Sequence, residues 1–180
     1  MNIETLYKNK WLSLINMIDV ENGVHGYVYS HETRCQGKII ATLPYRKDEK
    51  GEFEYLLRNE ITPCWGMQSE ISSITGGTEK GKTIKQITVE ELKEEGGYEV
   101  SEDDLESLGI CYGTKSCDTI YHLFTVDLTW KRKGEAVGDG SELEKKDNCF
   151  WTSNIYESND PILYVLWKRL NDCLLVEKLK

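Results

Sequence analysis

The amino-acid sequence predicts an α+β fold, a sandwich in which helices flank a mixed β-sheet. Three observations predict it. Strand-like runs dominate the first half of the 180-residue chain and only two segments carry a strong helical signature. No internal repeat, low-complexity tract or Pro/Ser-rich linker interrupts them, so residues 1–180 read as a single domain.

Residues 1–24 carry charge throughout and read as an N-terminal extension ahead of the first strand. Segments 26–30, 38–43 and 53–57 are rich in β-branched, aromatic or aliphatic side chains and predict strands. The polar stretch 47–51, closed by Gly51, makes a hairpin of the second and third. A glycine-punctuated segment follows, then a helix over 84–95. Thr83 with Gln86 three residues on is a capping-box pattern, and Gly96-Gly97 is a C-terminal stop. Further strands are predicted over 109–112 and 120–128. The glycine-rich, acidic stretch 134–144 then precedes the apolar Cys149-Phe150-Trp151, as suits a loop. The chain closes with a helix over 161–175: Asp160 is its N-cap, Pro161 suits the first helical position, and Ile162, Leu163, Leu166, Leu170 and Leu174 recur at helical spacing.

Composition limits the function classes. With 22 Lys and Arg against 31 Asp and Glu the formal charge is −9, which repels phosphate backbones and argues against a nonspecific nucleic-acid binder or a polybasic membrane-surface protein. Hydrophobic residues make up 39%, enough for a core and too many for a disordered acidic chain. No run approaches the roughly 18 apolar residues of a membrane span, and the first 20 residues lack a signal-peptide core. The six cysteines form no C-x-x-C pair and read as free thiols in a reducing compartment. A cytoplasmic protein is expected.

The informative segment is 76–98, GGTEKGKTIKQITVEELKEEGGY. Glu91, Glu94 and Glu95 stand at i, i+3 and i+4 of the predicted helix and project from one face. Glu91 and Glu95 form a like-charge pair costing on the order of 0.2–0.5 kcal/mol, and Glu94 and Glu95 lie at the negative end of the helix dipole. A solvated acidic face, with Lys93 three residues after Glu90, is the bland reading. Glycine pairs on both sides of an electrostatically costly carboxylate cluster favour a site for hard divalent cations, which prefer carboxylate oxygens and bridge them to phosphates.

At these residues the sequence resembles the Nudix hydrolase family, whose signature is G-x5-E-x7-R-E-U-x-E-E-x-G-U, with U a bulky apolar residue. Started at Gly76, the pattern places Glu91, Leu92, Glu94, Glu95, Gly97 and Tyr98 on its E, U, E, E, G and U positions without a gap. Two positions depart from it: Lys82 stands for the first Glu and Glu90 for the Arg. The resemblance implies an α/β/α sandwich and Mg²⁺ or Mn²⁺ held by Glu91, Glu94 and Glu95 beside Gly76, with Glu94 and Glu95 also catalytic. Glu79 stands in for a lost carboxylate next to the substrate. In the ADP-ribose and ADP-sugar pyrophosphatase branch the general base comes from a loop after the box, which points to Glu142 and Glu144. The same branch supplies Arg58 for phosphate and Trp65 for stacking on a base, and implies a homodimer. Its marker proline is absent, with Cys111-Tyr112-Gly113 in that region.

The implied activity is divalent-metal-dependent hydrolysis of the pyrophosphate bond in a nucleoside diphosphate linked to another moiety, a nucleotide sugar such as ADP-ribose. The alternative is a catalytically weak nucleotide-binding or regulatory module, because Glu90 removes a counter-charge. His25, His31 and His122 are scattered, and no Ser-His-Asp or Cys-His arrangement supports covalent catalysis.

Overall fold

The computed structural model describes residues 1–136 and 148–178. Its architecture is the expected α/β/α sandwich. A seven-stranded mixed sheet is built from β4 (Lys38–Lys47), β5 (Phe53–Ile61), β6 (Ser69–Ser72), β7 (Ile74–Gly77), β8 (Glu106–Tyr112), β9 (Ile120–Asp127) and β10 (Asn148–Thr152). Its main order is β10-β5-β4-β9-β8, with β6 beside β5 and β7 beside β4. The β4–β9 pair is parallel and the others are antiparallel. One long side of β4 runs along β9; the other is shared between β7, opposite residues 39–42, and β5, opposite residues 45–47.

Side-chain alternation along these strands feeds two cores. Ala41, Leu43, Tyr55, Leu57 and Leu123 face α2 (Pro161–Lys178) and pack with its Ile162, Leu163, Leu166 and Leu170. On the opposite face Leu56, Ile74, Phe124 and Val126 pack with Leu92 of α1 (Ile84–Glu94). Both helix starts form as the sequence predicts. The Thr83 hydroxyl accepts from Gln86 N–H at 3.1 Å while Gln86 Oε1 accepts from Thr83 N–H at 2.9 Å. Asp160 Oδ1 caps Ile162 N–H at 2.8 Å, and its Oδ2 accepts from Ser73 N–H and Oγ at 3.2 Å, tying α2 to the β6–β7 junction.

The N-terminal reading needs correction. Residues 1–24, read as an extension ahead of the first strand, carry strands of their own: β1 (Asn2–Lys8) and β2 (Leu12–Asp19) form an antiparallel three-stranded sheet with β3 (Val24–Glu32). All of β1 is exposed, so the burial alternation that marks a strand in sequence is missing there. Backbone bonds from Ser30 N–H to Ser116 O at 2.9 Å and from Asp118 N–H to Ser30 O at 3.2 Å join this sheet to the β8–β9 turn. Short β6 and β7, rich in Ser and Gly, were also outside the expectation. Among the described residues no helix is long and apolar enough to cross a membrane.

Candidate active site

The site lies where α1 crosses the β4–β7 and β5 face. Ile84, Ile87, Thr88, Glu91, Leu92 and Glu95 stand at i, i+3, i+4, i+7, i+8 and i+11, the stripe that an amphipathic helix turns towards its core. Ile87, Thr88 and Leu92 are buried there. Two carboxylates thus occupy positions where apolar residues would satisfy helix packing. Glu94 lies off the stripe and is exposed, so the three acids do not share one environment.

Glu91 is seated against Gly76. A Cβ at residue 76 would come within 2.1 Å of Glu91 Oε1 and 2.5 Å of its Cγ, so glycine is what lets the carboxylate lie on β7. Ile74, two residues earlier, faces the α1 core, and strand parity turns position 76 to the same side.

Glu95 meets Arg58. In β5, Leu56 faces α1 and Arg58 follows it at i+2, on that same face. The Arg58 guanidinium donates to Glu95 Oε1, with the two side chains only 8% and 10% exposed, and a second carboxylate, Glu60, stands 3.7 Å away. Arg58, expected at a substrate phosphate, is thus committed to a carboxylate of α1.

The helix exit fixes the far edge. Gly97 adopts φ 75°, which turns the chain so that its N–H bonds Lys93 O and Tyr98 N–H bonds Leu92 O, both at 3.1 Å. Gly134 N–H donates to Gly97 O at 2.7 Å, and a Cβ on Gly97 would lie 3.0 Å from Gly134 O. Gly97→Ala is expected to destabilise the fold by about 1–2 kcal/mol through the left-handed backbone alone, read by chemical denaturation. Tyr98 is buried beneath Trp151, which donates from Nε1 to the Tyr98 hydroxyl at 3.3 Å.

Lys82 closes the loop into α1. Its ammonium bonds Glu90 at 2.7 Å and Glu79 at 3.0 Å. Hydrogen bonding to Glu90, then to Glu79, holds it protonated well above the ordinary lysine range. Glu79 is therefore paired with Lys82 in the loop rather than gathered with Glu91. Trp65 sits half-exposed in the β5–β6 connection, with its N–H on Thr62 O at 2.8 Å. Glu142 and Glu144 lie outside the described residues. The described chain on either side of 137–147 borders the site, since Gly134 bonds Gly97 and Cys149 pairs with Arg58 across β10 and β5.

Sequence reasoning missed the Arg58–Glu95 pair and the part played by Lys82. A signal existed for the first: Arg58 directly follows the apolar run Tyr55-Leu56-Leu57 and is buried with it, and a cation in such a strand requires a counter-charge. A separate cavity of about 510 Å³ is lined by Trp11, Arg34, Cys117, Thr119 and Tyr121 among others, and none of the α1 acids lines it.

The donor set suits a hard cation in kind: carboxylates on α1 beside the backbone of β7. Among the described residues, no three His, Cys, Asp or Glu side chains converge tightly enough to enclose an ion by themselves.

No family model matches the chain, and no curated protein matches it. Among solved structures it is similar to one described as the crystal structure of an ADP compounds hydrolase, at 16% identity and a TM-score of 0.56, covering 84% of this chain and 75% of that one. The likeness is one of fold.

Proposed function

We propose that this protein hydrolyses the pyrophosphate bond of a nucleoside diphosphate linked to another moiety, a nucleotide sugar such as ADP-ribose being the favoured substrate, with Mg²⁺ or Mn²⁺ as cofactor. The observation that carries the proposal is the pair of carboxylates on the packing stripe of α1, one seated on a glycine and one held by a buried arginine. Helix packing alone gives no reason for acids at those two positions, and a carboxylate turned towards a core costs stability unless it is paired or coordinates a cation. The fold shared with an ADP compounds hydrolase supports the reading.

In this reading Glu91, Glu94 and Glu95, with the backbone at Gly76, hold the cation. When bound, it supplies charge neutralisation on the diphosphate and a water made nucleophilic at neutral pH. Arg58 is a positioning residue: its guanidinium donates to Glu95 Oε1 and so anchors that carboxylate. Gly76 keeps the space that Glu91 occupies. Glu142 and Glu144 are the candidates for the general base, and Trp65 for contact with the nucleobase. A cytoplasmic homodimer completes the reading; light scattering on the purified chain tests the dimer.

The deciding experiment is a screen of nucleotide sugars, dinucleotides and nucleoside triphosphates with Mg²⁺ or Mn²⁺, reading released nucleoside monophosphate. Glu95→Gln is expected to lower kcat by about 10²–10⁴-fold, the range for removing a group that acts on the reacting atoms. Unchanged turnover in that variant rules the assignment out. Tight nucleotide binding by the wild type without product would instead favour the nucleotide-binding module.

A further inference from the structure

The two departures from the family pattern are in contact with each other. The pattern writes an acid at position 82 and a base at position 90; this chain has Lys82 and Glu90, and their charged ends meet at 2.7 Å. Either substitution alone would look like a loss of function. Together they keep one cation and one anion across the same loop-to-helix gap with the signs exchanged.

The contact has a structural consequence. Residues 78–82 connect β7, which carries Gly76, to the capping box at Thr83. At its start the loop is fixed by Thr78, whose N–H bonds Lys38 O at 3.1 Å and whose hydroxyl bonds Cys35 O at 2.7 Å. Toward its end the side-chain attachments are those of Lys82, to Glu90 on the helix and to Glu79 within the loop. Glu90 immediately precedes Glu91, so the clamp ties the loop to α1 one residue from the carboxylate that rests on Gly76.

We propose that Lys82 and Glu90 form a charge-inverted clamp, two positioning residues that fix the 78–82 loop against α1 and thereby keep Glu91 seated on β7. Glu90 is then not a missing counter-charge but half of an intact pair. An exposed ion pair contributes little to global stability, so its effect is local order in the loop.

The test is a charge-reversal cycle on the full chain with Lys82→Glu, Glu90→Arg and the double variant. Amide hydrogen exchange over 78–82 is read alongside kcat and KM for the best nucleotide substrate found in the screen. Each single reversal sets like charges against each other, three carboxylates in Lys82→Glu and two cations in Glu90→Arg. Each is expected to speed loop exchange and to lower kcat by about 5- to 10-fold with KM nearly unchanged. The double variant restores an opposite pair and is expected to return both readouts to within about 2- to 3-fold of wild type. Lys80→Glu, a charge change in the same loop outside the pair, controls for net charge and is expected to leave both unchanged. Silent single reversals, or a double variant no better than the worse single, would overturn the clamp. Its catalytic part rests on the proposed hydrolase activity. If the wild type turns over no substrate, that reading fails by itself, and the exchange cycle still decides whether the pair orders the loop.

Discussion

Arg58→Ala is expected to lower stability by about 3–5 kcal/mol. The reason is the burial of both partners. Arg58 and Glu95 have side chains 8% and 10% exposed, so removing the guanidinium leaves a carboxylate that water does not reach easily. For a chain of this size the loss corresponds to a fall in Tm of roughly 6–20 °C. Differential scanning calorimetry and urea titration read it directly. A companion variant separates structure from chemistry. Replacing both partners by apolar residues, Arg58→Met with Glu95→Leu, removes the uncompensated charge and is expected to recover most of the stability, because a buried ion pair exchanged for hydrophobic groups is often neutral. Activity is expected to stay absent in the double variant, since Glu95 is gone. A stable, fully folded Arg58→Ala protein would show that the pair contributes nothing to the fold.

Gly76→Ala is expected to show the opposite balance, a modest effect on folding and a large one on turnover. The added methyl group would lie 2.1 Å from Glu91 Oε1 and 2.4 Å from its Cδ, so the carboxylate has to leave its seat. The strand can remain, because the pairing of Gly76 with Ile40 is made by backbone. Overpacking of this kind costs about 1–3 kcal/mol, whereas misplacing a group near the reacting atoms by an ångström costs about 10²-fold in rate. The neighbouring Gly77→Ala provides the contrast: its new Cβ would stand 3.2 Å from Cys35 Cβ and touches none of the α1 acids, so a much smaller kinetic effect is expected. Steady-state kinetics on the two variants checks the difference. Wild-type kcat in Gly76→Ala would remove Glu91 from the site.

The two variants bear on different kinds of information in the chain. Gly76 and Glu91 stand in one short segment, and their spacing is visible to anyone reading it. Arg58 and Glu95 are 37 residues apart and join only when β5 passes beneath α1. Lys82 and Glu90 fall between these cases: both lie in the informative segment, yet their contact at 2.7 Å appears only in the folded chain. Glu94 illustrates the reverse. Its position at i+3 from Glu91 groups it with the other acids, but the burial of Leu92 sets the rotation of α1 and leaves Glu94 in solvent.

By itself the sequence determined the local and periodic features. The limits of α1 follow from Thr83, Gln86 and Gly97, and the start of α2 from Asp160 and Pro161, because capping is settled within a few residues of backbone. It determined the mixed α+β class and most strands of the larger sheet, because β4, β5 and β9 are buried on both faces and read as continuous apolar and β-branched runs. Only the tertiary structure decided that residues 2–8 and 12–19 fold into strands, since β1 is exposed along its whole length and carries no buried apolar run, and that Arg58 serves Glu95. Charges act through space, and the partner of a buried charge is set by which strand passes under which helix, a quantity that no local pattern carries.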